Sequence, residues 1–333
     1  MERKPRILVV GSFMMDLTAA AERVPDMGET VIGLSFSTAP GGKGANQAVQ
    51  CARLGADVSM AGCVGADSFG REMLDAVSAS GVDTSHVKIS GEHASGVGNI
   101  QLQVTRSGTE NRILVVPGAN YDLTPEDLLW MREGVRAYDF LLLQLELRMD
   151  VTGYAAECAR AAGVPVMLNP APAAPLDAGL LSCVTYVSPN EHEAGILTGS
   201  PLRPGPPDAP SVSRTAEAIR SLGAGSVLIT LGENGSFLTG PGGSIPMPCV
   251  PAPAVLDPTA AGDSFIGAFC TGLASGLSER DALALASHAA AITVSRRGAM
   301  PSLPTLEEVV ALMEQRGAAP LPPQALERLR PRS

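Results

Sequence analysis

Residues 139–145 read DFLLLQL, an apolar run of strand length that is not broken by alternating polar residues. A strand of this composition is typically buried on both faces, as in a parallel sheet covered by helices. The chain continues in both directions with strand-like runs separated by segments of helical spacing, at 6–10, 45–54, 58–64, 69–77, 165–168 and 227–231. This alternation predicts an α/β fold with a mostly parallel sheet and right-handed connections.

Two stretches interrupt the alternation with short strands that have no helix between them. They lie at about 30–38 and at 99–104 (NIQLQV) together with 112–116. Apolar residues alternate in NIQLQV, so one face of this strand is exposed or covers another part of the molecule. We interpret the two stretches as one small antiparallel sheet that is inserted twice into the larger fold. Two separate edge hairpins are the alternative.

The composition excludes several classes of protein. Of the 333 residues, 45% are hydrophobic and 17% are charged, which is not the composition of a disordered chain, and the length suits one large domain or two modest ones. Lys and Arg number 24 against 34 Asp and Glu, which gives a net charge of −10. This charge argues against nucleic acids and anionic membrane surfaces as partners.

The N-terminus and the cysteines predict a cytoplasmic protein. The chain begins MERKPRILVVGS, without the apolar core of a signal peptide, and contains no apolar stretch of transmembrane length. Its six cysteines are scattered and form no CxxC pair, which favours reduced thiols.

Common cofactor motifs are absent from the sequence. The stretch 40–44 (PGGKG) lacks the hydroxyl residue that follows lysine in a P-loop, and the first strand ends in GSFMMD rather than GxGxxG. The missing GxGxxG argues against an NAD-dependent oxidoreductase. The four histidines form no HExxH motif and no Cys/His cluster, which argues against a zinc site.

The stretch 257–265 (DPTAAGDSF) is the most informative about chemistry. Small residues precede a helix, and the free N–H groups at a helix start bind anions that can approach such residues closely. Asp263 lies in the first turn, where a carboxylate could take the proton of a hydroxyl while a phosphoryl group arrives. The alternative is that this stretch only opens a helix, with Asp263 as its cap.

The stretch 41–47 (GGKGANQ) is the second motif. Its glycines allow close approach to the backbone before a helix, and Asn46 offers both a donor and an acceptor, as a polyol requires. The alternative is a turn that carries a solvated lysine.

Both motifs resemble the two signatures of the ribokinase family of sugar kinases, the PfkB carbohydrate kinases. The resemblance runs from about residue 6 to residue 306. Six further segments match the family in its order, at 117–120 (PGAN), 144–146 (QLE), 169–173 (NPAPA), 189–193 (PNEHE), 230–235 (TLGENG) and 296–302 (RRGAMPS).

The resemblance implies a ribokinase-like three-layer α/β fold with a small antiparallel β lid. The nucleotide- and sugar-binding domain would comprise 1–16, 39–97 and 117–316, and the lid 17–38 and 98–116. Two such lids would pair in a homodimer. We expect the Pro- and Arg-rich residues at 317–333 to form a disordered tail.

The resemblance also implies a role for individual residues. Asp263 would be the base, with the N–H groups of Ala260, Ala261, Gly262 and Asp263 as an anion hole. The sugar site would comprise Met14, Asp16, Gly42, Lys43, Asn46, Glu146 and Asp263. The ATP site would comprise Asn190, Thr230, Leu231, Gly232, Glu233, Asn234, Gly235, Gly262 and His288, although His288 could instead be a structural residue on a helix face. Potassium would be held, mostly by backbone carbonyls, at Asp257, Thr259, Thr293, Arg296, Gly298 and Ser302. Glu193 would help to place Mg²⁺ through water.

The expected activity is ATP-dependent phosphorylation of the primary hydroxyl of D-ribose, giving D-ribose 5-phosphate. Met14 and Ile266 replace the asparagines of many family members, so the sugar is the least determined part of this expectation. A kinase for deoxyribose, fructose or a nucleoside is one alternative. A non-catalytic sugar- or nucleotide-binding regulator is the other, because a fold alone does not determine function.

Overall fold

The computed structural model describes residues 3–105, 108–203, 205–206 and 208–330, and a nine-stranded sheet runs through the centre of this part of the chain. Its strands, in spatial order, are β13 (Gly243–Met247), β12 (Ser236–Gly240), β11 (Ser226–Thr230), β10 (Tyr186–Val187), β9 (Val166–Asn169), β8 (Phe140–Gln144), β1 (Arg6–Val10), β4 (Asp57–Gly65) and β5 (Val82–Ser90). Neighbours from β5 to β11 are parallel, and β12 and β13 form an antiparallel edge. The predicted, mostly parallel sheet is confirmed.

Both faces of the central strands are buried. In β1, Ile7 and Val9 belong to the apolar core on one face, and Leu8 and Val10 to the core on the other. In β8, Phe140 and Leu142 belong to the first core, and Leu141 and Leu143 belong to the second. The uninterrupted apolar runs of the sequence therefore follow from a strand that has no solvent-facing side.

Helices cover the two faces and complete a three-layer fold. One layer contains α1 (Lys43–Arg53), α2 (Ser68–Ala79), α8 (Ala261–Ala274), α9 (Glu279–Thr293), α10 (Leu306–Gln315) and α11 (Pro323–Leu329). The other contains α3 (Met131–Gly134), α4 (Met149–Ala162), α5 (Ala178–Ser182), α6 (Glu191–Thr198) and α7 (Pro210–Arg220). Among the described residues, no helix is both long and apolar enough to cross a membrane.

A separate four-stranded sheet is formed by the two insertions, as the sequence predicts. Its order is β3 (Ser35–Gly41), β2 (Met14–Ala21), β6 (Val97–Thr105) and β7 (Gly108–Val116). The outer pairs are antiparallel and the central pair, β2 with β6, is parallel. The reason is that β2 and β6 follow β1 and β5, which are parallel strands of the large sheet, and so leave it in the same direction.

The C-terminal prediction is corrected by the structure. Residues 317–330 end in α11 rather than in a disordered tail, and Leu321, Ala325 and Leu329 are buried in the core. The backbone of Leu329 lies against Gly55, where an added Cβ would be 1.8 Å from the Leu329 carbonyl oxygen. Besides its prolines and arginines, the segment 317–330 contains three alanines and three leucines, and three of these six residues dock it onto the core. The rest of the predicted tail, 331–333, lies outside the described residues.

Candidate active site

A cavity of about 1310 Å³ opens beyond the carboxyl ends of the parallel strands, where open α/β sheets bind ligands. Its lining includes many residues that the sequence assigns to the nucleotide and the anion hole: Asn190, Thr230, Gly232, Glu233, Gly235, Ala261 and Gly262. Sequence reasoning missed its apolar wall, because no motif marks these positions: Val250, Ala252, Val255, Phe265, Ala290, Ala291 and Val294.

His288 is not among the described residues that line this cavity. Its Nδ1 lies 2.7 Å from the carbonyl oxygen of Ala284 in the same helix, and burial lowers the pKa of the ring. The neighbouring Ser287 lines the cavity instead. Among the described lining residues, Leu231, Asn234 and His288 are missing, so the structure gathers only part of the predicted nucleotide set around the cavity.

Asp263 lies buried in the first turn of α8, against the side chains of α1. Asn46 Nδ2 donates to Asp263 Oδ2 at 2.9 Å, and Gln47 Nε2 donates to Asp263 Oδ1 at 3.0 Å. Burial raises the pKa of Asp263, while the Lys43 ammonium and the two amides act in the opposite direction. Asn46 Oδ1 is buried without a hydrogen-bond partner among the described atoms.

The start of α8 has an uncommon backbone conformation. Ala260 caps the helix with φ of 61°, the left-handed conformation that is uncommon for a residue with a Cβ. The N–H of Ala261 donates to the Pro258 carbonyl at 3.2 Å. The Ser264 N–H donates to the Ala260 carbonyl at 2.8 Å. The N–H groups of Gly262 and Asp263 lie before the first hydrogen bond of the helix, and an added Cβ at Gly262 would meet nothing within 4 Å.

A polar cluster lies on the other side of Asp263, where β2, α1 and the end of β8 meet. Glu146 Oε2 accepts the backbone N–H of Lys43 at 3.0 Å and also the hydroxyl of Ser12. Burial raises the pKa of Asp16 to about 6, with further contributions from Glu146 and Asp263. Burial alone would lower the pKa of Lys43, but the surrounding carboxylates raise it, so the ammonium stays charged.

The carboxylate of Asp16 fits between two glycines. A Cβ added at Gly41 would lie 3.0 Å from Asp16 Oδ2, and one at Gly98 would lie 2.8 Å from Oδ1. Gly98 is a site residue that sequence reasoning missed, because it lies on β6, in the other insertion of the small sheet. Its register opposite Asp16 exists only once β2 and β6 have paired.

Asn190 and Glu193 form a capping box at the start of α6. The Glu193 carboxylate accepts the N–H of Asn190 at 2.9 Å, and the Asn190 side chain accepts the N–H of Glu193 at 2.8 Å. Burial raises the pKa of Glu193. The carboxylate oxygen that takes part in the cap is Oε2.

Two loops meet beside α8 at the predicted potassium residues. Asp257 accepts the N–H groups of Thr259 and Gly298, each at 2.9 Å. The side chains of Thr293, Ser302 and Arg296 are engaged with the Ser264 hydroxyl, the Ala299 carbonyl and Glu308, respectively. The Arg296 guanidinium carries no lone pair for a cation, whereas the two hydroxyls act as donors in these contacts.

Comparison with known proteins places this site in a family. The model of the pfkB family carbohydrate kinases matches residues 4–306. The chain belongs to this family. A ribokinase of Schizosaccharomyces pombe is 40% identical over 310 residues, which are 91% of this chain and 96% of the relative. A deoxyribokinase of Salmonella typhi is 33% identical over 303 residues, 91% of this chain and 96% of the relative. The structure of Arabidopsis thaliana ribokinase complexed with ribose and ATP superimposes with a TM-score of 0.85 at 32% identity, covering 94% of this chain and 99% of that one.

A carbohydrate kinase transfers a phosphoryl group to a sugar hydroxyl, and the geometry suits this reaction. Asp263 and the start of α8 separate the large cavity from the polar cluster around Asp16, Lys43 and Glu146. A donor held in the cavity and a polyol held by the cluster would meet at Asp263.

Proposed function

We propose that this kinase transfers the γ-phosphoryl group of ATP to the primary hydroxyl of D-ribose and so produces D-ribose 5-phosphate. The observation that carries the proposal is the position of Asp263, in the first turn of α8, between the cavity and the polar cluster. In phosphoryl transfer the protein mainly positions the reactants and stabilises charge, and both tasks can be done from this position.

Asp263 acts as the base in this proposal. Its carboxylate takes the proton of the sugar hydroxyl, the hydroxyl oxygen bonds to the γ-phosphorus, and the bond to the β,γ-bridging oxygen breaks to release ADP. The N–H groups of Gly262 and Asp263 stabilise the charge on the transferring group. The base must be ionised, so the donors of Asn46 and Gln47 and the charge of Lys43 offset the effect of burial on its pKa.

The sugar is held by the polar cluster. Asp16 and Glu146 accept hydroxyl hydrogens, Lys43 donates, and Asn46 Oδ1 accepts from the hydroxyl that reacts. Gly42 keeps the backbone close to the sugar, and Met14 closes one side of the site with its thioether. The similarity to ribokinases, which extends over 91% of the chain, supports ribose as the substrate.

Two cations complete the proposal. Mg²⁺ bound to the ATP phosphates neutralises charge, and the second carboxylate oxygen of Glu193 suits one of its water ligands. K⁺ suits the carbonyl-rich pair of loops that Asp257 joins, where a positive charge would order the start of α8.

The experiment is a coupled assay of ADP release over D-ribose, 2-deoxyribose, fructose and nucleosides, with the product position read by ³¹P–¹H correlation. We expect turnover to be highest with ribose and the phosphate to be on the 5-hydroxyl. A better 2-deoxyribose substrate would instead favour the activity named for the Salmonella typhi relative. Binding of ribose and ATP without turnover would favour a regulator.

We further propose that the small sheet is the lid of the sugar site and the contact surface of a homodimer. Its strands carry exposed apolar side chains, including Phe36 at 67% and Leu114 at 66% exposure. An apolar patch of this kind marks an interface. Sedimentation should show a dimer that Phe36→Asp dissociates.

A cytoplasmic location is also part of the proposal, supported by the six unpaired cysteines.

A further inference from the structure

A chain of buried side-chain amides lies behind Asp263. Gln47 Nε2 donates to Asp263 Oδ1 at 3.0 Å and lies 3.3 Å from Asn169 Oδ1. Gln144 Nε2 donates to Gln47 Oε1 at 2.7 Å. Gln47 and Gln144 are 0% and 1% exposed, so these contacts are shielded from water.

The contacts of Gln47 determine which way its amide faces. Its oxygen accepts from Gln144, and its nitrogen supplies one hydrogen to Asp263 and one to Asn169. Reversing the amide would point its oxygen at two acceptor oxygens and leave the Gln144 donor facing an NH₂ group. The orientation is therefore coupled to the presence of an acceptor, an ionised carboxylate, at Asp263.

We propose that Gln47 is a positioning residue which, oriented by Gln144, holds the Asp263 carboxylate in place and favours its ionised form. The proposal rests on the proposed role of Asp263 as the base. Gln47 does not contact the sugar or the nucleotide in this assignment and acts only through Asp263.

The charged groups around Asp263 explain why neutral donors are useful there. Lys43 faces it from α1, while the three carboxylates of Asp16, Glu146 and Glu193 face it from β2, the end of β8 and α6. One ammonium is thus shared among four carboxylates in a buried site. An amide N–H stabilises the ionised base without adding a charge that would compete for the substrate phosphates.

The test is the pH dependence of kcat at saturating ribose and Mg²⁺-ATP. Gln47→Met fills similar volume without the donor, and we expect the acidic limb of the profile to move up by about one to two pH units. Gln144→Met leaves Gln47 in place but removes the group that orients it, so we expect a smaller shift in the same direction. KM for ribose should change by less than about threefold in both variants, because neither side chain contacts the sugar.

Gln50→Met is the matched control. Gln50 lies one turn further along α1, is equally buried, and bonds to Pro304 and Ser264 rather than to Asp263. A general loss of packing would affect Gln47→Met and Gln50→Met alike, whereas the proposed role displaces the acidic limb only in the Gln47 and Gln144 variants. Thermal unfolding of each variant reports the packing loss separately.

The proposal is overturned if the acidic limbs of Gln47→Met and Gln144→Met coincide with that of the unsubstituted kinase. If Gln47→Met does not fold, the Gln144→Met profile decides by itself. The Asp263→Asn variant distinguishes failure of the base assignment from failure of the role of Gln47. If Asp263→Asn keeps near-normal turnover, the base assignment fails and the role of Gln47 fails with it; if Asp263→Asn is inactive and the limbs coincide, only the role of Gln47 is rejected.

Discussion

The Asp257 carboxylate accepts the backbone N–H of Gly298 at 2.9 Å, which joins two loops that are 41 residues apart in the sequence. The same carboxylate accepts the N–H of Thr259 at the turn before α8. Asp257 therefore links the loop after α9 to the segment that precedes α8. A cation bound between these loops would act on the N-terminus of α8 through this link.

The first prediction is activation by potassium. Replacing K⁺ by Na⁺ or tetramethylammonium at constant ionic strength should lower kcat several-fold or more, because a smaller or larger ion does not satisfy carbonyls spaced for K⁺. Asp257→Ala should lower kcat in K⁺ and remove the difference between the salts. Equal rates in all three salts would remove the cation from the proposal.

The second prediction concerns Asp263. Asp263→Asn keeps the size of the side chain but removes the proton acceptor, so turnover should fall by about 10²- to 10⁴-fold. Calorimetry should find ribose affinity changed by only a few-fold, because the other groups of the sugar site remain. Near-normal turnover of the folded variant would reject this residue as the base.

The third prediction uses the raised pKa of Asp16. Burial and the neighbouring carboxylates raise it to about 6, so the protonated form accumulates in the free enzyme below that pH. A protonated Asp16 loses part of its capacity to accept sugar hydroxyls, and KM for ribose should rise as the pH falls from 7 to 5, by at most tenfold per unit. Asp16→Asn should have a high KM that no longer depends on pH in this range. A KM for ribose that is flat in the unsubstituted enzyme would contradict the role of Asp16.

The raised pKa of Asp16 also determines how this residue's contribution to the free energy of unfolding depends on pH. The pKa of Asp16 is raised in the folded state, so the folded protein binds more protons than the unfolded chain between about pH 4 and pH 6. The contribution of Asp16 to the free energy of unfolding therefore falls as the pH rises through this window. Urea denaturation at pH 4.5 and pH 7 should therefore give a change in the free energy of unfolding that is more favourable to the folded state at pH 7 in Asp16→Asn than in the unsubstituted protein.

The fourth prediction concerns Gly42, whose φ is 96° and whose added Cβ would lie 2.7 Å from the Met14 nitrogen. Gly42→Ala combines backbone strain with a clash and should lower the free energy of unfolding by about 3 kcal/mol or more, with a raised KM for ribose. Gly163→Ala is the control, because Gly163 also has a positive φ of 73° but has nothing within 4 Å of an added Cβ. The Gly163→Ala change should lower the free energy of unfolding by about 1 kcal/mol and leave KM for ribose unchanged. If urea denaturation shows the same loss of unfolding free energy in both variants, backbone strain without a clash would account for the effect at Gly42.

The fifth prediction concerns sugar choice. If Asp16 accepts ribose hydroxyls, a deoxy sugar leaves a carboxylate oxygen unpaired, and kcat/KM should favour ribose over 2-deoxyribose by about 5- to 150-fold. The Met14 side chain, which is 4% exposed, cannot donate a hydrogen bond to the sugar. Met14→Asn should therefore widen the preference for ribose. An unchanged or smaller ratio in Met14→Asn would show that this side chain does not contact the ring hydroxyls.

Local pattern was sufficient for the parts of the site that depend on neighbouring residues. The small residues before Asp263 predicted a helix start, and α8 begins at Ala261. The alternation in NIQLQV predicted a strand of the small sheet, which is β6. Helix starts and strand faces are determined within one turn or a few residues, so composition and spacing report them directly.

Other positions required contacts that spacing does not report. The lining of the cavity includes Ser287 but not the neighbouring His288, because consecutive side chains on a helix point about 100° apart. The segment that was predicted to be a disordered tail contains α11. Its residue Leu329 packs against the backbone of Gly55, which is distant in the sequence. Gly98 joins the site only through its register with Asp16.

The sequence by itself determined the α/β alternation, the double burial of the central strands, the helix start before Asp263 and the membership of the family. Only the tertiary structure decided which side chains meet. Packing of α1 against α8 brings Asn46 and Gln47 onto Asp263 across a separation of 216 or 217 residues, and the resulting burial determines the direction of its pKa shift. Periodicity describes the faces of one element, whereas distances between elements are set by close packing of the whole core.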